Sequence, residues 1–156
     1  KHRFIRLTLS MEDAELAGRV QALPCTLADL GVQVSTGRVV DFQHPVFTIE
    51  IDGEACGGIA VRPHAGERAH GAELGYWLGR QHWGRGHMTR VVAAYLDWVV
   101  PALGLVRIEA NVLDTHPASA RVLEKNRFVE EGCRRSALRK PDGLHDLRLF
   151  GRLWSG

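Results

Sequence analysis

Apolar residues recur at helical spacing through one long stretch of the chain. Met88, Val91, Val92, Tyr95, Leu96, Val99 and Val100 fall at i, i+3, i+4, i+7, i+8, i+11 and i+12, which predicts a helix opening near Gly86 and ended by Pro101 and Gly104. Elsewhere the period is two. "VFTIEID" (Val46 to Asp52) alternates, Asp52-Gly53 is a hairpin-turn signal, and "ACGGIAVR" (Ala55 to Arg62) supplies the return strand. "ELGYWLG" (Glu73 to Gly79) and "LVRIEANV" (Leu105 to Val112) read as strands on either side of the long helix. In the second, Val106, Ile108, Ala110 and Val112 share one face and Arg107, Glu109 and Asn111 the other. "HPASARVLEKN" reads as a short helix, with His116 at its cap and Pro117 at the first helical position. "RFVEEGCRRSAL" and "LHDLRLFGRLW" then close the chain as two strands joined by "KPDG". Near the start, "MEDAELAGRVQAL" (Met11 to Leu23) predicts a helix with Ser10 as N-cap, Asp13 at the capping-box position and Pro24 as stop. Cys25 to His44 is weakly patterned and predicts a short second helix and a mobile loop. The sum is one mixed α/β domain over residues 1–156, with a parallel step across the long helix.

Composition narrows the class. With 156 residues, 45% apolar, the chain can bury a core, and no apolar run is long enough to span a bilayer. A net charge of +2 argues against a dedicated nucleic-acid binder. Cys25, Cys56 and Cys133 form no C-x-x-C pair, and the 8 histidines lack metal-ligand spacing, so neither a disulfide framework nor a metal site is expected. "KHRFIRLTLS" lacks the apolar core of a signal peptide. A reducing, cytoplasmic setting is the expectation, with no membrane or nucleic-acid partner.

The chemistry gathers where the central strand hands over to the long helix, in "QHWGRGHMT". A helix start leaves backbone N–H groups without partners and presents the positive end of its dipole. Glycines let a ligand approach the main chain, so such a turn is a ready phosphate site; Arg80, Arg85 and Arg90 add charge or simply face water. The Walker pattern is absent, and after Gly84 and Gly86 the third glycine of a dinucleotide fingerprint is missing.

The pattern present, Gln81-x-x-Gly84-x-Gly86, resembles the acetyl-CoA signature of the GNAT superfamily of N-acetyltransferases. "ELGYWLGRQHWGRGHMTRVV", "HPASARVLEKNRFVEEGCRR" and "GLHDLRLFGRL" are similar to segments of members related to the ribosomal-protein alanine N-acetyltransferases, over roughly residues 45 to 153. The resemblance implies an α/β (α+β) GNAT fold: a mixed central sheet with a splayed parallel strand pair and flanking helices. It implies acetyl-CoA as co-substrate, its pyrophosphate on the turn from Gln81 to Met88, formed by Gln81, Trp83, Gly84, Arg85, Gly86, His87 and Met88, with Thr89 among the cofactor-binding residues beside it. The pantetheine would run along Tyr76, Trp77 and Leu78. The acceptor would be a primary amine, on a protein N-terminus or a small molecule, and the protein a monomer or homodimer. Two positions depart from the family: His116 stands for a frequent Asn, and Arg127-Phe128 for Gly-Phe, with Asn126 as the candidate left-handed residue.

Individual residues keep two readings each. Glu73, on the strand face of residues 73, 75, 77 and 79, is the first candidate for the base that takes the amine proton, or else a solvated carboxylate. Glu109 is the second. Ser119 is placed to protonate or hydrogen-bond the departing sulfur, or else to bond its own helix end. Arg121 and Lys125 meet the adenosine 3′-phosphate or solvent. Trp77 and Trp83 shape the acyl or acceptor pocket, or else Trp77 packs in the core and Trp83 buttresses the turn. The loops "FQHP" and "RPHAGERAHG" border the acceptor site. A CoA-binding module without catalysis, and a ligand-free interaction domain, are the rival classes.

Overall fold

A computed structural model of the chain describes residues 5–10, 32–37 and 46–155, with side chains over 47–155. The predicted helix from Met11 to Leu23, with its Ser10 cap and Pro24 stop, and the loop Phe42 to Pro45 lie outside the described residues.

The described strands form an 8-stranded sheet in the order β2-β1-β3-β4-β5-β6-β8-β7. They are β1 (Ile5–Ser10), β2 (Val32–Gly37), β3 (Val46–Ile51), β4 (Glu54–Pro63), β5 (Gly71–Leu78), β6 (Arg107–Leu113), β7 (Val129–Lys140) and β8 (Gly143–Leu153). β1 pairs with β2, and β5 with β6, in parallel; every other neighbour is antiparallel. β3 and β4 join through Asp52 and Gly53 at φ 53° and 83°, the left-handed pair that a two-residue hairpin turn requires. The parallel step from β5 to β6 crosses α1 (His87–Leu103), as the period change predicts; α2 (Pro117–Lys125) follows β6.

The apolar face of α1 buries Val91, Val92, Tyr95, Leu96, Trp98 and Val99 against Phe47, Ile49, Ile59, Val61, Leu74 and Ile108 of the sheet. Phe47 meets Tyr95 and Trp98 edge-on, with ring centroids at 5.3 and 5.0 Å. Tyr95 Oη accepts the Val61 amide at 3.0 Å.

Three expectations need correction. α1 does not stop at Pro101 but runs to Leu103. A proline this near the end removes one helical hydrogen bond, and the stop comes from Gly104 at φ 63°, with Leu105 N–H closing on the Val100 carbonyl at 2.9 Å. After α2 the left-handed residue is Arg127 (φ 64°) rather than Asn126 (φ −95°). Asn126 is buried and donates its side-chain amide to the Thr89 carbonyl at 3.2 Å and the Val122 carbonyl at 3.0 Å, which holds its backbone and passes the turn to the next residue. Finally, part of the weakly patterned span is a strand, Val32–Gly37, held by parallel pairing with β1.

Candidate active site

β5 and β6 pair only over Gly71↔Arg107, Ala72↔Ile108 and Glu73↔Glu109. β5 continues to Leu78 and β6 to Leu113 without further pairing between them. On its other side β5 stays paired with β4, and Gly79 N–H donates to the Cys56 carbonyl at 2.7 Å. Main-chain groups of alternate residues in an antiparallel pair point to opposite sides. Residues 73, 75, 77 and 79 therefore turn theirs toward β4, and Leu74, Tyr76 and Leu78 turn theirs into the gap. Past Glu73 the two strands run on without pairing to each other and leave a slot between them.

The glycine turn stands at the mouth of this slot. A short 3₁₀ turn (Arg80–His82) leads through Trp83 to Gly84 (φ 70°) and Gly86 (φ 77°). A Cβ at either glycine would touch nothing within 4 Å, so the backbone angle, rather than crowding within the protein, selects glycine. Gly86 is the N-cap of α1 and supplies no side-chain cap; the first turn carries no acidic residue. Among the described residues no side chain caps α1 and no carboxylate in its first turn offsets the positive end of its dipole. His87 and Met88 are buried, so these two contribute amides to the turn and side chains to the core, while Gln81, Arg85 and Arg80 are exposed. Trp83 is 58% exposed, donates its indole N–H to the Leu78 carbonyl at 2.6 Å and lies 5.7 Å from the Arg80 guanidinium, the buttress expected of it. Trp77 is 64% exposed, which overturns core packing for it. It sits on the face of β5 opposite Leu74, over Gly58, where an added Cβ would come within 2.8 Å of the indole nitrogen.

α2 is moored at both ends. At its start, Tyr76 Oη lies 2.8 Å from Ser119 Oγ and 3.2 Å from the Ser119 carbonyl; at its end Asn126 holds Thr89 in the first turn of α1. The Ser119 hydroxyl thus bonds across to β5 rather than to its own helix end. Burial pushes the Tyr76 hydroxyl pKa up, against the pull of its Ser119 hydrogen bond. His116 occupies the cap position but makes no side-chain cap bond, leaving its imidazole exposed at the open side. Arg121 and Lys125 are exposed between the two moorings.

The two candidate bases are register neighbours with different surroundings. Glu109 accepts from His64 Nε2 at 2.5 Å, Arg68 at 2.6 Å and Arg107 at 3.3 Å. Partial burial pushes its pKa up, but the hydrogen bonds from His64 and Arg107 and the charges of His64 and Arg68 outweigh that and hold it below the usual carboxylate range. A carboxylate so engaged is a poor proton acceptor at neutral pH. Its role is to pin the loop His64 to His70 across β6. Glu73 is half-buried at the inner end of the slot, and its carboxylate has no hydrogen bond or ion pair with any described residue. The sequence did not reveal the Tyr76 side chain as the partner of Ser119, nor the clamp on Glu109. Parity alone offered a signal for Tyr76, which shares the face of Leu74.

Residues 33–129 match the family model described as Acetyltransferase (GNAT) domain, more than half of the chain. The chain belongs to the GNAT acetyltransferases. This GNAT chain is 37% identical over 82 residues to an uncharacterised N-acetyltransferase, p20, of Bacillus licheniformis, covering 53% of this chain and 46% of that protein. It is 30% identical over 82 residues to the ribosomal-protein-serine acetyltransferase of Escherichia coli, covering 53% and 46%. Mycobacterium smegmatis RimJ, solved in complex with CoA-disulfide, superposes with a TM-score of 0.65 at 27% identity over 89% of this chain and 59% of that one. The chain spans about half the length of the curated relatives it matches. The GNAT fold expected from the sequence, a mixed sheet opened at a parallel pair, is the fold found.

Proposed function

We propose that this GNAT domain transfers an acetyl group from acetyl-CoA to a primary amine, with the α-amine of a protein as acceptor. The observation that carries the proposal is the slot between β5 and β6, which opens at Glu73 and Glu109 and has an uncapped helix start at its mouth. The residues fit the co-substrate. The amides from Gln81 to Met88 suit a pyrophosphate, and the main chain of Tyr76, turned away from β4, suits the amides of a pantetheine arm. Trp77 flanks that arm, and Arg121 and Lys125 are available to the adenosine phosphate. The acceptor choice rests on the ribosomal-protein acetyltransferase among the relatives and on RimJ among the solved structures.

When bound, the co-substrate supplies an activated acetyl thioester. The chain's own residues do the rest. Glu73, unpartnered at the inner end of the slot, takes a proton from the incoming ammonium and leaves the amine free to attack. The N–C bond forms, the C–S bond breaks, the nitrogen gives up its second proton to water, and Ser119 donates a hydrogen bond to the departing sulfur. The slot walls keep the reacting groups aligned. Location in the cytoplasm and assembly as a monomer or homodimer belong to the same proposal; among the described residues no helix is long and apolar enough to cross a membrane.

The deciding experiment is a panel of N-terminal peptides, polyamines, amino acids and aminoglycosides with acetyl-CoA, read by thiol release. Peptide-dependent release is expected, and acetylation of small amines alone overturns the protein acceptor. A second reading, a CoA-binding module without transfer, is favoured by the uncapped His116. It predicts that acetyl-CoA raises the melting temperature with no release for any amine. In either case Gly86→Asp should erase the thermal shift, because its carboxylate would stand against the pyrophosphate; an unchanged shift in the folded variant places the cofactor elsewhere.

A further inference from the structure

The Tyr76 hydroxyl reaches two atoms of one residue, and it has one proton to give. If Tyr76 donates to the Ser119 carbonyl, 3.2 Å away, Ser119 Oγ–H is left to donate back to Tyr76 Oη at 2.8 Å. The serine proton is then consumed inside the protein. If Tyr76 donates to Ser119 Oγ instead, the serine proton is free to point outward into the slot. Only the second arrangement lets Ser119 donate to a sulfur atom. We infer that Tyr76 is a positioning residue that sets the donor direction of Ser119, turning its hydroxyl proton toward the departing thiolate. The inference deepens the proposed function and rests on its placement of the thioester in the β5–β6 slot.

Three observations support it. Tyr76 projects from the free part of β5, beyond the last residue paired with β6, so its side chain reaches α2 where the slot is open. Ser119 is the third residue of α2, a position where serine ordinarily bonds its own helix end, and here its hydroxyl is drawn to a tyrosine instead. Burial keeps the Tyr76 phenol protonated through the neutral range, as a donor must be. No proton need leave Tyr76: the C–S bond breaks, the thiolate is held by the serine hydrogen bond, and the two protons the nitrogen loses, one before attack and one as the amide forms, pass to Glu73 and water. A donor that is itself hydrogen-bonded is polarised and donates more strongly.

The test needs no acceptor. Free CoA is titrated against pH on the protein, and the bound thiol is followed by its thiolate absorbance in the ultraviolet. A donor at the sulfur favours the thiolate, so the wild type should hold the bound thiol about one pH unit or more below its value in free CoA. Tyr76→Phe should return most of that shift, Ser119→Ala should return as much, and the double variant no more than Ser119→Ala alone. With a responsive acceptor, Tyr76→Phe should lower kcat about tenfold with little change in KM for acetyl-CoA, and the loss should shrink for thioesters of more acidic thiols. If CoA does not bind the wild type, the proposed function fails, and the inference with it. If CoA binds but its thiol is unshifted, or Tyr76→Phe leaves the shift intact, the site stands and the inference is overturned. A merely structural tyrosine would lower the melting temperature of Tyr76→Phe and leave the thiol shift of that variant as in the wild type.

Discussion

At the scale of single residues, two adjacent carboxylates show how surroundings assign roles. Glu73 and Glu109 face each other across the last paired step of β5 and β6, yet His64, Arg68 and Arg107 engage the Glu109 carboxylate and no described residue engages that of Glu73. Glu73→Gln should leave acetyl-CoA binding intact and lower turnover by roughly a hundredfold. The deficit should narrow as pH rises and amine arrives already neutral. A pH–rate profile at saturating acetyl-CoA reads this, and equal rates for variant and wild type across the range remove Glu73 from the mechanism. A second residue carries strain. Arg127 holds φ 64°, where an L side chain crowds its own backbone, because buried Asn126 is tied to Thr89 and Phe128 N–H must reach the Leu123 carbonyl at 3.0 Å. Arg127→Gly should stabilise the fold by about 0.5–1 kcal/mol, the relief exceeding the extra chain entropy of glycine. Urea denaturation measures it; a destabilised variant would show that the arginine side chain contributes more than the angle costs. The departure from Gly-Phe was visible in the sequence, but the residue that bears the angle was not, since that depends on where the Asn126 side chain is tethered.

At the scale of elements, periodicity located what was long or regular. α1 and the strands from β3 onward were legible because seven helical positions or clean alternation leave few competing patterns. β1 and β2 were not. "IRLTLS" does alternate, with Ile5, Leu7 and Leu9 against Arg6, Thr8 and Ser10, but six residues hold as a strand only when paired, and one partner lies at Val32–Gly37. Local pattern carries no record of such a distant pairing. The β7–β8 hairpin shows the same dependence. Its register slips between Arg134 and Leu138, Ser136 sits at φ 49°, and the tip is tied to the end of β6 by His145, whose ring lies 3.1 Å from Asp114 and 2.8 Å from Asp142. The hydrogen bond to Asp142, then that to Asp114, raises the His145 pKa. A raised folded-state value means that the tether is at full strength below the unfolded histidine pKa, about 6.5, and is lost as pH climbs through the folded value. Amide exchange at the tip, corrected for its intrinsic pH dependence, should therefore quicken on going from mildly acidic to alkaline buffer. His145→Gln should abolish that response, and a wild type with a flat profile would show that the tether does not hold the tip.

At the scale of the whole molecule, the site was legible as a place and not as a mechanism. The glycine turn announced itself in the sequence because a helix start and two glycines coincide, and the structure puts the open end of the slot beside it. The slot depends on where two strands stop pairing, which no residue type encodes. It has a mechanical meaning. The sheet is two plates, β2-β1-β3-β4-β5 and β6-β8-β7, welded along three residue pairs and strapped by α2 through Tyr76 and Asn126. Only three residue pairs cross that weld, fewer than join any two neighbours within either plate, so stiffness across it should be lower. A co-substrate lying in the slot would act as a missing strand, bonding to the Tyr76 amide and extending the weld toward the turn. The Tyr76 amide should exchange rapidly in the free protein and slowly with acetyl-CoA present, while amides deep in β3 and β4 change little. Protection confined to the glycine turn would mean that the plates stay as loosely joined as before. On this view the free domain would be a compliant clamp that acetyl-CoA stiffens on binding and lets relax on release.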